Sequence, residues 1–307
     1  MIQNIVPHAI VIVNPTAGRN ATGKRWPAIS ALLKKAGLSF DHRFTEGRGH
    51  AIELAKEAAN SGCRYLVAVG GDGTAHEVAN GILSSARPRE TVLGIIGAGT
   101  GSDFNRSAGI PRHYLHSCSG ITSPGRLLID VGIVEYRKNG QKEQRYFINA
   151  AGAGFDAAVV AATESMPKYF GGTVPYVMGL LRTLLRYRNK PVFMRIGEKT
   201  EIARVLNVVV ANGAYVGGGM NIAPLAKLDD SLLDVLVIGN IGKLELLQAF
   251  PRVYKGTHLT HPKVKMVKAT SITVESPERV LVYADGEPLG ECPASFTLLP
   301  SALNIVV

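Results

Sequence analysis

Apolar residues fall into short continuous runs in the first third of the chain and into shorter, turn-bounded runs after it. Residues 9–13 (AIVIV) and 65–69 (YLVAV) are unbroken apolar stretches, and 92–96 (VLGII) behaves alike. Such runs belong to strands buried on both faces, as in parallel sheets. Between them lie helical patterns: one carries Ile29, Leu32 and Leu33, one spans 50–59, and one runs through 77–83. A weaker strand is predicted at 40–44. The resulting strand–helix alternation predicts a doubly wound α/β domain. Beyond about residue 130 strand-like runs dominate, at 128–134, 146–149, 192–196, 205–210, 233–238, 271–274, 280–283 and 296–299. Turn residues separate them, the pattern of a sandwich or barrel. Helices interrupt at 174–188 and 243–253. The predicted class is α/β plus β, with domains at 1–130 and 131–299 and a strand-like 300–307 returning to the first. No internal repeat or low-complexity segment is present.

Composition narrows the partners. Of 307 residues, 46% are hydrophobic, enough for a core in each of two domains. Lys plus Arg outnumber Asp plus Glu by 34 to 24, a formal charge of +10 that favours anionic partners. The basic residues are scattered, and the one Trp and nine Phe do not interleave with them as a base-stacking platform requires, so no nucleic acid partner is expected. Three widely spaced cysteines, Cys63, Cys118 and Cys292, give neither a disulfide framework nor a metal knuckle. The first residues lack the basic region of a signal peptide. No apolar run reaches the roughly 18–20 residues of a spanning helix, so a soluble, cytoplasmic protein is expected, with any lipid contact peripheral.

Four clusters carry candidate chemistry. Asn14, Pro15, Thr16, Ala17 and Gly18 follow the first buried run, where a loop of small residues brings backbone N–H groups near a phosphate; an ordinary strand–helix turn uses the same residues. Gly70, Gly71, Asp72, Gly73 and Thr74 end the 65–69 run and open a helix, where open α/β sheets bind ligands. Asp72 beside phosphate implies an intervening metal ion, or else a helix cap. The stretch 97–106 (GAGTGSDFNR) adds Thr100 and a second acid, Asp103. Two glycine-rich loops with one acid each suit a shared Mg²⁺–nucleotide site. Asp285 and Glu287 end a strand two residues apart, on one side if the chain stays extended; Asp-Gly-Glu is also a common turn.

These segments together, with Thr45, the LIDVG around Asp130, FINAAGAGFDAAV, and VANGAYVGGGMNIAPLAKLDDSLLDV, resemble the diacylglycerol kinase catalytic family of lipid kinases. Gly-Gly-Asp-Gly-Thr alone is shared with NAD kinases and phosphofructokinase-like enzymes; the ordered set is specific to the lipid-kinase branch. The resemblance implies a nucleotide-binding α/β domain and a β-sandwich domain. It implies ATP contact at residues 14–18, Thr45, 70–74 and Thr100, and Asp72, Asp103 and Asp130 organising a catalytic Mg²⁺ through water. Glu287 is implied as acceptor of the lipid hydroxyl proton, with Asp285 beside it. A second, structural Mg²⁺ is implied at the Asp230 carboxylate and the carbonyls of Lys227 and Leu232.

The family pattern is broken at Gly97, where proline is usual, at Ser102 for asparagine, at Asn105 for alanine and at Ser231 for glycine. A loop that needs positive φ prefers glycine, which bears on the structural metal. The expected reaction is phosphorylation of a lipid hydroxyl, diacylglycerol first. Phosphatidylglycerol, a sphingoid base or a non-lipid alcohol are other acceptors, and a non-catalytic nucleotide or lipid sensor is a reading from another class. Segment 166–188 mixes Leu181, Leu184 and Leu185 with Arg182, Arg186 and Arg188, as an interfacial helix does and as a packed helix with a basic outer face also does. The sequence leaves a homodimer open.

Overall fold

The apolar runs of the first third become adjacent strands. In the computed structural model, which describes residues 8–99, 101–164 and 173–307, β1 (Ala9–Val13), β2 (Phe40–Phe44), β3 (Tyr65–Gly70) and β4 (Val92–Gly97) form a parallel sheet in the order β2-β1-β3-β4. Residues Asn304 and Ile305, at the C-terminus, pair in parallel with Val92 and Leu93 on the far side of β4. The register sets Val13 beside both Phe44 and Val69, and Gly70 beside Gly97. Asn14, Thr45, Gly71 and Ala98 therefore leave the sheet at nearly one level.

Helices α1 (Ala17–Lys35), α2 (His50–Asn60), α3 (Asp72–Leu83), α4 (Asp103–Ser107) and α5 (Tyr114–Gly120) alternate with these strands. Trp26, Ile29 and Leu33 of α1 and Cys118 of α5 pack on Val11, Val13, Val67 and Val69. Each fully buried Leu, Ile or Val there contributes about 1.5–3 kcal/mol. The regular part of α1 starts later than its first residue, because Gly18, Arg19 and Asn20 all have left-handed backbone. Strand β5 (Arg126–Lys138) follows. The chain divides into two compact units, Met1–Val131 with Pro300–Val307, and Gly132–Leu299.

The second unit is a β-sandwich, settling the sandwich-or-barrel alternative. Its elements are β6 (Gln141–Phe147), β7 (Ala150–Gly154), α6 (Phe155–Glu164), α7 (Thr173–Arg186), β8 (Lys190–Ile196), β9 (Lys199–Val205), β10 (Asn207–Ala211), β11 (Tyr215–Val216) and β12 (Met220–Asn221). Then come β13 (Leu233–Ile238), α8 (Lys243–Lys255), β14 (Val264–Ala269), β15 (Ser271–Glu275), β16 (Leu281–Ala284) and β17 (Glu287–Val306), whose last residues, from Pro300, belong to the first unit. One layer runs β14-β13-β10-β7-β16, ending on the first residues of β17. The other runs β9-β8-β15 and ends on Ala294–Thr297 of the same long strand. Inward residues such as Phe147, Met194, Val210, Val235, Ile272 and Phe296 fill the space between. The run at 205–210 is two strands, since Leu206 separates β9 from β10. Residues 166–172 of the expected interfacial segment lie outside the described residues.

Candidate active site

Three strand ends in the first unit hold a set of interlocked loops. Asn14 accepts Thr16 N–H at 3.1 Å and Thr16 O–H at 2.9 Å through Oδ1, and its Nδ2 donates to Thr74 Oγ1 at 3.1 Å. The Ala98 and Gly99 N–H groups both donate to the Gly70 carbonyl, at 2.8 and 3.1 Å. Thr22 Oγ1 donates to the Ala98 carbonyl at 3.3 Å. Gly18 has φ +60°, and a Cβ on it would stand 2.4 Å from that same oxygen. A Cβ on Gly99 would reach 2.5 Å from Gly71 Cα. These glycines are required because backbone packs on backbone. Thr45 is buried at the end of β2 with its N–H on the Val13 carbonyl. Thr100 lies outside the described residues.

Asp72 is the first residue of α3, behind Gly71, so it does not cap its own helix. Its Oδ1 accepts the Phe104 N–H of α4 at 3.1 Å. Its Oδ2 faces Gly101: a Cβ there would lie 2.7 Å from it and 3.9 Å from Asp103 Oδ2. Two carboxylates thus converge on space that only glycine leaves open, beside the helix N-terminus that favours anions. That donor set and opening fit Mg²⁺, which takes one or two carboxylates and completes its shell with water and phosphate oxygens. Asp103 is buried, with Arg106 Nη1 3.7 Å from its Oδ1. Asp130, also buried, accepts the Ser301 N–H at 2.7 Å and so ties down the returning C-terminal strand. Among the described residues no three His, Cys, Asp or Glu side chains form a direct metal cluster.

The departures at Gly97, Ser102 and Asn105 are neighbours. A Cβ on Gly97 would lie 2.6 Å from the Arg112 carbonyl, 3.1 Å from Ser102 Oγ and 3.3 Å from Asn105 Nδ2. The Arg112 carbonyl occupies the place that a side chain at 97 would need, with the Ser102 and Asn105 side chains close beside it. Ser102 takes φ +54°, a conformation that asparagine also tolerates, at the start of α4.

In the second unit the Asp-Gly-Glu segment is a turn and does not stay extended. Asp285 (φ +45°) and Gly286 (φ +82°) form the two-residue connection between β16 and β17, with Ala284 paired to Glu287. The Asp285 carboxylate accepts three backbone N–H groups: Ile148 at 2.8 Å, Asn149 at 3.0 Å and Ala150 at 2.8 Å. It fixes the β6–β7 connection. Glu287, the first residue of β17, is buried and accepts from Arg145 Nη2 at 2.6 Å. Arg145, on β6, is not singled out by any sequence motif; it is 142 positions from its partner. Glu77, read in the sequence only as part of a helical run, accepts the Gly49 and Ala51 N–H groups and closes the start of α2.

At the loop before β13, Asp230 Oδ1 accepts the Leu232 N–H at 3.1 Å, and Ser231 has φ +59°. The positive φ expected of the family's glycine is therefore present on a serine.

Two family models match: the diacylglycerol kinase catalytic domain over residues 8–134, and the YegS C-terminal NAD kinase beta sandwich-like domain over 149–307. The chain is 30% identical to a diacylglycerol kinase of Bacillus subtilis, covering 97% of this chain and 96% of that one. It is 28% identical to a diacylglycerol kinase of Staphylococcus carnosus, over 97% and 94%. A crystal structure of a putative diacylglycerol kinase from Bacillus anthracis superposes with a TM-score of 0.77 at 28% identity, covering 97% of this chain and 96% of that one. With both halves matched in order and over nearly their full length, this chain belongs to the diacylglycerol kinase catalytic-domain family of lipid kinases, a kinase family that implies use of ATP.

Proposed function

We propose that this protein transfers the γ-phosphoryl group of ATP to the hydroxyl of diacylglycerol, forming phosphatidic acid, with Mg²⁺ as the required cation. The observation that carries the reading is the convergence of Asp72 and Asp103 on Gly101, beside the interlocked loops that follow β1, β3 and β4. In this reading residues 14–18, Thr45, 70–74 and Thr100 hold the nucleotide, and Asp72 and Asp103 orient the cation. Asp130 supports them from β5. When bound, Mg²⁺ neutralises charge on the β- and γ-phosphates. Backbone N–H groups of the glycine loops bind the same oxygens at no reorganisation cost.

Glu287 accepts the proton of the lipid hydroxyl, a contribution of about 10²–10⁴-fold for a positioned carboxylate. Arg145 holds its carboxylate in one orientation. Asp285 is the positioning residue, because its carboxylate is engaged by three backbone groups.

A lipid acceptor places the work at a membrane, here the cytoplasmic face. No helix among the described residues is long and apolar enough to cross one. Helix α7 supports a peripheral contact: Leu184 packs inward, while Leu181 and Leu185 stand exposed among Arg182, Arg186 and Arg188. Lys243 donates to the Leu185 carbonyl at 2.5 Å, joining the start of α8 and its exposed Leu244 to this surface. Apolar side chains amid cations suit an anionic lipid surface. The test is an acceptor panel in mixed micelles with Mg²⁺ and ATP. Diacylglycerol should be labelled in preference to phosphatidylglycerol and sphingoid bases, and EDTA should stop the reaction. Label on another lipid alone would reassign the acceptor, and unchanged turnover in EDTA would remove the cation.

A further inference from the structure

The family's second metal loop meets an internal cation in this chain. The resemblance assigns residues 227–232 to a structural Mg²⁺, with the Asp230 carboxylate and the carbonyls of Lys227 and Leu232 as ligands. Mg²⁺ demands oxygen donors at about 2.0–2.1 Å in near-octahedral array. Here both oxygens of Asp230 are engaged: Oδ1 by the Leu232 N–H, and Oδ2 by Lys268 Nζ at 2.5 Å. The same ammonium stands 3.6 Å from Asp234 Oδ2, whose side chain is only 1% exposed. A metal ion on Asp230 Oδ2 would have to share that one carboxylate oxygen with the Lys268 ammonium, and repulsion between the two cations would weaken its binding there. The residues present therefore do not fit the implied metal.

Lys268 is placed by the sheet. In the antiparallel β13–β14 pair Lys268 lies directly opposite Asp234, and its side chain reaches from there to Asp230. Opposite charges on facing strand positions stabilise the pair, and a buried carboxylate needs such a partner. We propose that Lys268 supplies, through a covalently attached ammonium, the positive charge that this loop otherwise takes from a divalent ion. The 227–234 segment then keeps its shape without metal, and the left-handed backbone of Ser231 is held by the Asp230 and Lys268 contacts. An attached charge does not depend on the free cation concentration, whereas a bound ion stabilises by mass action.

The inference stands apart from the catalytic reading, since its test needs neither nucleotide nor lipid. Thermal unfolding of the purified full chain is followed in EDTA and in excess magnesium chloride, for wild type, Asp230→Asn and Lys268→Met. The expected magnesium-induced shift is the same in wild type and Asp230→Asn, to within about 1 °C. Lys268→Met should unfold at lower temperature than wild type in EDTA. A wild-type shift exceeding that of Asp230→Asn by about 3 °C or more would place a metal on Asp230 and overturn the proposal. Unfolding of Lys268→Met at the wild-type temperature in both media would overturn it equally, because the ammonium would then hold nothing together.

Discussion

Two acids separated by one glycine do different work. Asp285 spends its carboxylate on the Ile148, Asn149 and Ala150 N–H groups, so its removal leaves three donors of one connection without their acceptor. Asp285→Ala should cost about 3 kcal/mol, measured as a lower urea midpoint with unchanged slope. Glu287 is held by a side chain, and its isosteric amide should leave stability nearly intact. Gly101 makes the complementary case, since a Cβ there would stand 2.7 Å from Asp72 Oδ2. Gly101→Ala should raise the Mg²⁺ concentration needed for half-maximal turnover about tenfold or more, while the unfolding temperature without nucleotide stays near wild type. The acids and glycine loops were legible in the sequence because each sits directly after an apolar run. Arg145, Glu77 and Lys268 were not, because their partners are brought in by pairings and packings 142, about 26 and 38 positions away.

At the scale of elements, legibility followed side-chain bulk. The runs at 9–13, 65–69, 233–238 and 271–274 became β1, β3, β13 and β15. Strand β7 (AAGAG) escaped, having no bulky apolar residue. Its small side chains are required: a Cβ on Gly152 would stand 2.4 Å from the Val208 carbonyl, and Gly154 has φ +124°. Strand β14 (VKMVKA) was missed because Lys265 and Lys268 break up its apolar residues. The turn Thr257–Thr260 after α8 carries a testable titration. His258 is 3% exposed, and its Nε2 donates to the Ile222 carbonyl at 3.0 Å. Burial holds its pKa below the usual 6.5, so the native state resists a proton that the unfolded chain accepts. Its contribution is therefore full above about pH 6.5 and is lost as pH falls below it. Unfolding temperature should drop on acidification through that range, and His258→Gln should flatten the drop.

For the whole molecule, the two units carry chemistry read from different parts of the sequence: glycine-rich loops and two acids in the first, a carboxylate held by arginine in the second. The integrity of the first unit can be followed by its thiols. Cys118 is fully buried in the α1–α5 packing, and burial pushes its thiol up to about 11. It should resist thiol reagents at about pH 8 in the native protein and react only on unfolding, whereas partly exposed Cys63 should label first. The basic balance of +10 suits both ATP and an anionic membrane surface. The central claim is tested most directly by transfer of labelled γ-phosphate from ATP to diacylglycerol in Mg²⁺-containing mixed micelles, comparing wild type with Glu287→Gln. The account predicts labelled phosphatidic acid from wild type and a rate at least about 10²-fold lower from the variant, with ATP binding unchanged. Absence of labelled lipid from a wild-type protein that binds ATP, or wild-type turnover by Glu287→Gln, would contradict it.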